Sequence, residues 1–160
     1  MIATSAESVE CLLEWFKETR KTTVALCDPL QIEDHVVQSS PDVSPPSWHL
    51  GHTTWFFETF LLRSFARGYQ LYDPAFSFLF NSYYEAEGAR IQKINRGVLS
   101  RPGVAEIHKY RESVDAAMDR LFSNINGDDS GNAERILELT ELGIHHEKQH
   151  QELLLMDIKH

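Results

Sequence analysis

The sequence predicts an all-α fold, and specifically an antiparallel four-helix bundle. Four segments carry apolar residues at helical spacing, with polar residues on the opposite face. No segment shows the alternation of apolar and polar residues that is typical of a strand. Proline, glycine and short polar runs separate the four segments. Several amphipathic helices without strands indicate a bundle that buries its apolar faces against one another.

The first predicted helix covers residues 5–27. Asp28-Pro29 should end it, because the residue before a proline is pushed out of the helical backbone conformation. Residues 31–43 are polar and mixed, so we expect a connecting loop there. The apolar face of this helix contains Val9, Leu12, Leu13, Phe16 and Val24.

The second predicted helix covers residues 47–66 and has a clear start signal. In Ser44-Pro45-Pro46, the serine is expected to cap the helix, and the prolines suit a first turn whose N–H groups have no partner. Gly68 is expected to end the helix. Its apolar and aromatic stripe contains Trp48, His52, Trp55, Phe56 and Phe60.

The second half of the chain supplies two further helices after a long irregular connection. Residues 69–103 are the least regular part, and we expect short helical turns there because a connection of this length is usually functional or a crossover. A third helix is predicted over residues 104–122, and the glycine- and aspartate-rich residues 124–132 form a loop. The fourth helix starts near residue 133, and its predicted apolar face contains Ile136, Leu139, Leu142, Leu153 and Leu154.

Length and composition indicate a single domain, residues 1–160, without a nucleic-acid or membrane partner. The chain has 15 basic and 24 acidic residues and a net charge of −9, which disfavours binding to nucleic-acid backbones and to anionic membranes. No secretory signal or membrane-spanning stretch is found. Cys11 and Cys27 are too far apart along one helix to form a disulfide, which fits a reducing compartment. We therefore expect a cytoplasmic protein.

Three histidines form the candidate chemical site. His146 and His150 are four positions apart on a predicted helix, so both rings lie on one face and can share a metal ion. Leu142 and Leu153 occupy the same predicted stripe, so the rings should point into the bundle. His52 lies in the aromatic stripe of the second helix and should also point inward. Three neutral imidazoles suit iron, zinc, nickel or copper and leave coordination positions open for substrate.

Alternative interpretations of these residues stay open at this level. An inward histidine is often a hydrogen-bonded core residue, and His49, three positions before His52, could be an alternative ligand or a supporting partner. His145 points about 100° away from His146 on a helix. Trp55 is either core or a pocket wall. Tyr83 and Tyr84 could line the pocket or pack a loop, and Arg96 and Arg101 could bind a carboxylate or lie on the surface. The spacing identifies no catalytic residue.

Residues 146–150 also form the HExxH pattern of zinc proteases. In that interpretation Glu147 would be the general base. If the site is not a protease, Glu147 could support the metal ligands or line the pocket. Such proteases usually take a third ligand from further downstream, but only ten residues follow His150. The candidates there, Glu152, Asp157 and His160, are too close along one helix. The protease interpretation is therefore disfavoured.

Two segments resemble the N-terminal DinB-like domain of ergothioneine-biosynthesis sulfoxide synthases of the EgtB type. Residues 44–58 read SPPSWHLGHTTWFFE, and residues 146–160 read HEKQHQELLLMDIKH. Residues 79–84 and 96–102 look like the same family, and the similarity extends from about Thr19 to the end of the chain. The two histidine segments together make the resemblance specific.

The resemblance implies an up-down-down-up bundle with a non-haem iron centre on His52, His146 and His150. Fe(II) is the implied metal, and Zn or Ni could substitute for it. The similar enzymes use O₂ to join a thiol, cysteine or γ-glutamylcysteine, to the imidazole of trimethylhistidine, a histidine betaine. They continue into a second domain that supplies the far wall of the active site.

Because this sequence ends at His160, we expect the metal-binding half of such an enzyme. The alternative is a free-standing DinB-like metalloprotein, either a metal-dependent thiol transferase or a metal-binding module without turnover. In both cases an apolar face left without the second domain could support a homodimer.

Overall fold

The regular elements of the protein are helical. The computed structural model describes residues 6–82, 84–125 and 131–160, and no strand occurs within these ranges. The all-α prediction is therefore confirmed. Within the same ranges the α-helices are α1 (Ala6–Ala25), α2 (Pro46–Phe57), α3 (Arg63–Phe65), α4 (Phe76–Phe80), α5 (Val104–Asn124) and α6 (Ala133–Lys159).

The predicted second helix is one continuous helical segment with an irregular turn inside it. A π-helical stretch, Glu58–Leu62, joins α2 to α3. The carboxylate of Glu58 is buried there and accepts hydrogen bonds from Tyr69 Oη, Tyr110 Oη and the Tyr72 amide. A buried carboxylate needs such donors, because leaving it unpaired away from water is costly. The wider turn thus coincides with a buried polar group.

Ser44 does not cap α2, contrary to the sequence prediction. The residue that precedes the first turn is Pro45, which has an extended backbone and makes no side-chain cap hydrogen bond. The Ser44 amide instead donates to Asp157 Oδ2 at 2.8 Å, and its hydroxyl accepts from Arg96 Nη1 at 2.8 Å. The tertiary partners of Ser44 therefore replace the local cap that its position suggested.

The four long helices pack around one core, to which α6 contributes a face different from the predicted one. α1 packs on α6, and α2 packs on both α5 and α6. Leu142 is 55% exposed and Leu153 is 36% exposed, so neither lies in the core as predicted. The buried face of α6 follows residues Ile136, Leu137, Thr140, Gly143, Ile144, Glu147 and Leu154. Because that face includes a glycine and a glutamate, the apolar pattern alone predicts the wrong rotation of α6 about its own axis.

The long connection between α3 and α5 contains short helical pieces, as expected. Besides α4 it contains two 3₁₀ segments, Glu85–Glu87 and Lys93–Val98. Of these pieces, α4 packs on α2, where the Trp48 indole donates to the Leu79 carbonyl at 3.1 Å. No helix in the described ranges is long and apolar enough to cross a membrane. Cys11 and Cys27 are both free thiols.

Candidate metal centre

His52 on α2 and His146 and His150 on α6 form one cluster. One ring nitrogen from each histidine lies within 4.8 Å of the others, which is close enough to hold a metal ion. The Nε2 atoms of His52 and His146 are 3.2 Å apart. The four-residue spacing on α6 places the second and third rings one turn apart, and the packing of α2 on α6 brings the first ring to them.

The ring of His52 is held in one orientation by its surroundings. Its Nδ1 lies 2.6 Å from the carbonyl oxygen of Phe80. A carbonyl can only accept, so this hydrogen bond requires the proton on Nδ1 and leaves the lone pair on Nε2, which faces the cluster. The ring also stacks on Trp48, with centroids 4.6 Å apart, and on Trp55, at 5.7 Å. His52 is thus oriented as a metal ligand would be.

His150 has a chain of polar partners behind it. Its Nδ1 lies 2.9 Å from Nδ1 of His49, and Nε2 of His49 lies 2.9 Å from Oδ2 of Asp157. His146 differs from the other two, because its Nδ1 is buried and has no hydrogen-bond partner. The ring of His146 is instead placed by stacking on Phe56, with centroids 4.7 Å apart.

Burial keeps the three rings neutral, which is the form that binds metals. Desolvation lowers the pKa of His52 well below its ordinary value, and the neighbouring His150 and His146 lower it further. Desolvation also lowers the pKa of His146 to about 4. The pKa of His150 is lowered to about 2 by desolvation and by His49 and His146. Near neutral pH all three nitrogens are therefore available to a cation.

A cavity of about 280 Å³ adjoins the cluster. Arg96 lies at its wall, with its guanidinium 3.3 Å from the ring centroid of Trp48 and with hydrogen bonds to the hydroxyls of Ser44 and Ser82. Arg101, the other sequence candidate for binding a carboxylate, is exposed and does not line this cavity. Further lining residues are Tyr84, Lys93, Gln149, Leu153 and Met156.

The sequence matches a known protein family. The family model of the DinB superfamily matches residues 16–154, which include all three clustered histidines. The chain belongs to the DinB superfamily. No curated protein matches the sequence. The family membership agrees with the helical fold, and the histidine cluster of this DinB-superfamily chain is the group within its described residues that could hold a metal ion.

The remaining candidate residues of this DinB-superfamily chain occupy different positions. Trp55 is fully buried and stacks on His52, so it belongs to the core behind the cluster and does not line the cavity. Tyr84 is half-buried and lines the cavity. Tyr83 lies outside the described residues. His145 is exposed and contacts Trp15 edge-on at 5.2 Å, away from the cluster.

Glu147 points away from the histidines and into a buried ion network. Its two oxygens accept from Arg20 at 2.9 Å, from Arg111 at 2.8 Å and from the hydroxyl of Thr23 at 2.6 Å. Burial alone would raise the pKa of Glu147, but the two arginines outweigh burial and lower it to about 2. A carboxylate held in this way cannot take a proton from water at the cluster. The structure therefore does not support the protease interpretation of residues 146–150.

Two residues that orient the cluster, Phe80 and Asp157, are not predicted by the sequence pattern. Phe80 acts through its backbone carbonyl, which no side-chain pattern reveals. Asp157 is a downstream ligand candidate in the HExxH interpretation, yet it lies seven positions after His150 and so on the same face of α6, two turns along. That spacing was a usable signal that Asp157 could reach the neighbourhood of His150.

Proposed function

We propose that this DinB-superfamily chain binds one divalent metal ion through His52, His146 and His150. The convergence of three neutral imidazoles on one point beside a cavity carries the proposal. The donor set suits a late first-row divalent ion. The surroundings fit as well, because two Nε2 atoms only 3.2 Å apart would both be satisfied by a cation between them. We propose Fe(II) as the native metal, with Zn or Ni as substitutes.

We further propose that the chain is the metal-binding domain of an O₂-dependent sulfoxide synthase. In that reaction a thiol and the imidazole carbon of trimethylhistidine form a C–S bond and lose one hydrogen each. One atom of O₂ oxidises the sulfur to the sulfoxide and the other leaves as water, which balances the reaction. Iron would supply the redox chemistry that O₂ requires. The two histidine segments support the proposal through their resemblance to such enzymes.

The cavity charge supports a substrate that carries carboxylates. Lys93, Arg96 and Asp157 all line the cavity beside the cluster, so its charged side chains are positive on balance and would attract a carboxylate. Cysteine, γ-glutamylcysteine and the histidine betaine all carry at least one carboxylate. The ring of Tyr84, which lines the cavity, suits the imidazole or the quaternary ammonium group of the betaine.

We also propose that the bundle has the up-down-down-up order. In three pairs of helices the contacts run in opposite order along the two helices, as expected of antiparallel helices. For α1 and α2 these contacts are Phe16–Phe57 and Arg20–Thr54. For α2 and α6 they are His49–Asp157 and Phe56–His146, and for α1 and α5 they are Lys17–Asp119 and Arg20–Asp115. These pairs support α1 and α6 pointing one way and α2 and α5 the other.

Metal analysis after anaerobic loading with Fe(II) tests the metal site. We expect about one ion per chain in the wild type and a large loss of affinity in His52→Ala and His150→Ala, because each removes one of three ligands. His145→Ala is the matched control, since it removes an exposed histidine next to the cluster and should retain the metal. Full metal content in both ligand variants would overturn the assignment.

Oxygen uptake tests the reaction. We expect thiol- and trimethylhistidine-dependent O₂ consumption, with sulfoxide formation, when the iron-loaded chain is joined to the second domain found in the similar synthases. No uptake in that joined protein would count against the synthase proposal while leaving the metal site standing. Addition of the thiol to an electrophile by the iron- or zinc-loaded chain alone, without O₂, would favour the alternative, a metal-dependent thiol transferase.

A further inference from the structure

We propose that Asp157 and His49 act together as a tautomer lock on His150. The pair fixes the ring proton of His150 on Nδ1 and so presents the Nε2 lone pair to the metal. Both are positioning residues, since they act through His150. The inference deepens the proposed function and rests on it only in taking His150 as a ligand.

The contact with Asp157 fixes which ring nitrogen of His49 carries the proton. Oδ2 of Asp157 accepts the Ser44 amide at 2.8 Å and lies 2.9 Å from Nε2 of His49. An ionised carboxylate has no proton to donate, so the hydrogen in the second contact belongs to Nε2 of His49. The side chains of His49 and Asp157 are only 3% and 5% exposed, which keeps water from competing for this contact.

The proton position on His49 determines which nitrogen of His150 carries the hydrogen. His49 is only 2% exposed, and burial disfavours the charged form of an imidazole, so the ring is neutral and carries one proton. With that proton on Nε2, Nδ1 of His49 can only accept. Its partner is Nδ1 of His150 at 2.9 Å, which must therefore carry the hydrogen. A neutral His150 with its proton on Nδ1 has its free lone pair on Nε2.

The lock differs from the arrangement at the other two histidines. The tautomer of His52 is set by the Phe80 carbonyl, which belongs to the backbone and cannot be substituted. His146 has no hydrogen-bond partner at Nδ1. The chain from Asp157 through His49 to His150 consists of side chains on both ligand-bearing helices, α2 and α6. A second layer of this kind typically changes metal affinity about 10- to 100-fold when it is removed.

Three substitutions separate the lock from general packing. Asp157→Leu keeps roughly the volume but removes the oxygen that accepts from Nε2 of His49, which permits the reverse proton order. His49→Phe keeps the bulk and removes both polar contacts. His49→Gln offers an oxygen that can accept from His150 and an N–H₂ that can donate to Asp157, so it should preserve the lock. Glu138→Gln on the exposed face of α6 is the charge-matched control.

The tautomer is measured by ¹⁵N NMR of the histidine rings in the metal-free chain, and the affinity by competition for Zn(II). We expect the Nδ1–H form of His150 in the wild type, in His49→Gln and in Glu138→Gln. Asp157→Leu and His49→Phe should gain the Nε2–H form and bind Zn(II) about 10- to 100-fold more weakly.

An unchanged His150 tautomer in both disruptive variants would overturn the lock, whether or not Zn(II) affinity falls, because the loss would then come from packing. A wild type that shows the expected tautomers but binds neither Zn(II) nor Fe(II) would refute the metal site while supporting the lock. Loss of the Nδ1–H form in His49→Gln, with the fold intact by circular dichroism, would also count against the proton order.

Discussion

The side chain of Glu147 gives the sharpest test of a single residue. It is fully buried between Arg20 and Arg111, and both arginines also bind Thr54 on α2. We expect Glu147→Gln to lower the free energy of unfolding by about 3–5 kcal/mol, because it removes the carboxylate paired with the buried guanidinium of Arg111 and leaves Arg20 to pair with Asp115. Urea unfolding measures this loss. Glu138→Gln should change stability by less than about 0.5 kcal/mol, since it breaks only an exposed pair.

The same network sets a pH dependence. The pKa of Glu147 is about 2 in the folded chain and near its ordinary value of 4.5 in the unfolded chain. Its stabilising effect is therefore complete above about pH 4.5 and is lost as the pH falls towards 2, because the unfolded chain takes up the proton first. We expect the stability difference between the wild type and Glu147→Gln to shrink across this range. A constant difference between pH 5 and pH 2.5 would show that the carboxylate charge does not contribute.

Short-range spacing explains which site residues the sequence could identify. His146 and His150 are one helical turn apart, and their convergence follows from helix geometry alone. The role of Glu147 could not be predicted, although it lies between them, because its partners Arg20 and Arg111 come from two other helices. From the sequence alone, a carboxylate between two histidines suggests a catalytic base. Only the folded structure shows that the two arginines bind it.

The contact between α2 and α6 depends on the absence of a side chain at Gly143. A Cβ atom added there would lie 2.5 Å from Cε1 of Phe57 and 3.0 Å from Cε1 of Phe56. Both rings are buried, and Phe56 stacks on His146, so neither can move freely. The close approach of these two helices therefore requires glycine at this position.

We expect Gly143→Ala to destabilise the fold by about 1–3 kcal/mol, although alanine favours a helix by about 1 kcal/mol. Overpacking outweighs helix propensity here, because the added methyl group meets the edge of a rigid ring. Urea unfolding measures the effect. The double variant with Phe57→Leu should recover part of the loss by making room. A Gly143→Ala variant more stable than the wild type would mean that the helices separate at little cost.

The sequence predicts the ends of helices where a proline sets them. It does not predict which face of a helix turns towards the core. α1 ends at Ala25, shortly before Pro29, and α2 begins at Pro46, as the sequence indicated. The rotation of α6 was wrong at Leu142 and Leu153, because Gly143 and Glu147 take core positions that an apolar pattern assigns to leucines. Ser44 failed as a cap for a similar reason, since its partners Arg96 and Asp157 are distant in sequence.

The bundle places its candidate site where an irregular segment meets two regular helices. The ligand-bearing helices could be found from the sequence, but the carbonyls of Leu79 and Phe80 and the guanidinium of Arg96 come from the connection between α3 and α5. The cavity is completed when this connection packs against α2, a contact between segments distant in sequence that no local pattern predicts. The sequence therefore predicts the fold class and the ligands, while the cavity wall emerges only from the folded chain.

Because the three histidines come from two helices that are distant in sequence, metal binding should stabilise the bundle as a unit. An ion that binds only the folded chain adds about 2.7 kcal/mol when its free concentration is 100 times Kd. We expect Zn(II) at that concentration to raise the Tm in differential scanning calorimetry, and excess EDTA to reverse the rise. His145→Ala should keep the shift, and a His52→Ala/His146→Ala double variant should lose it. An equal shift in the double variant would mean that the cation stabilises the chain from another site.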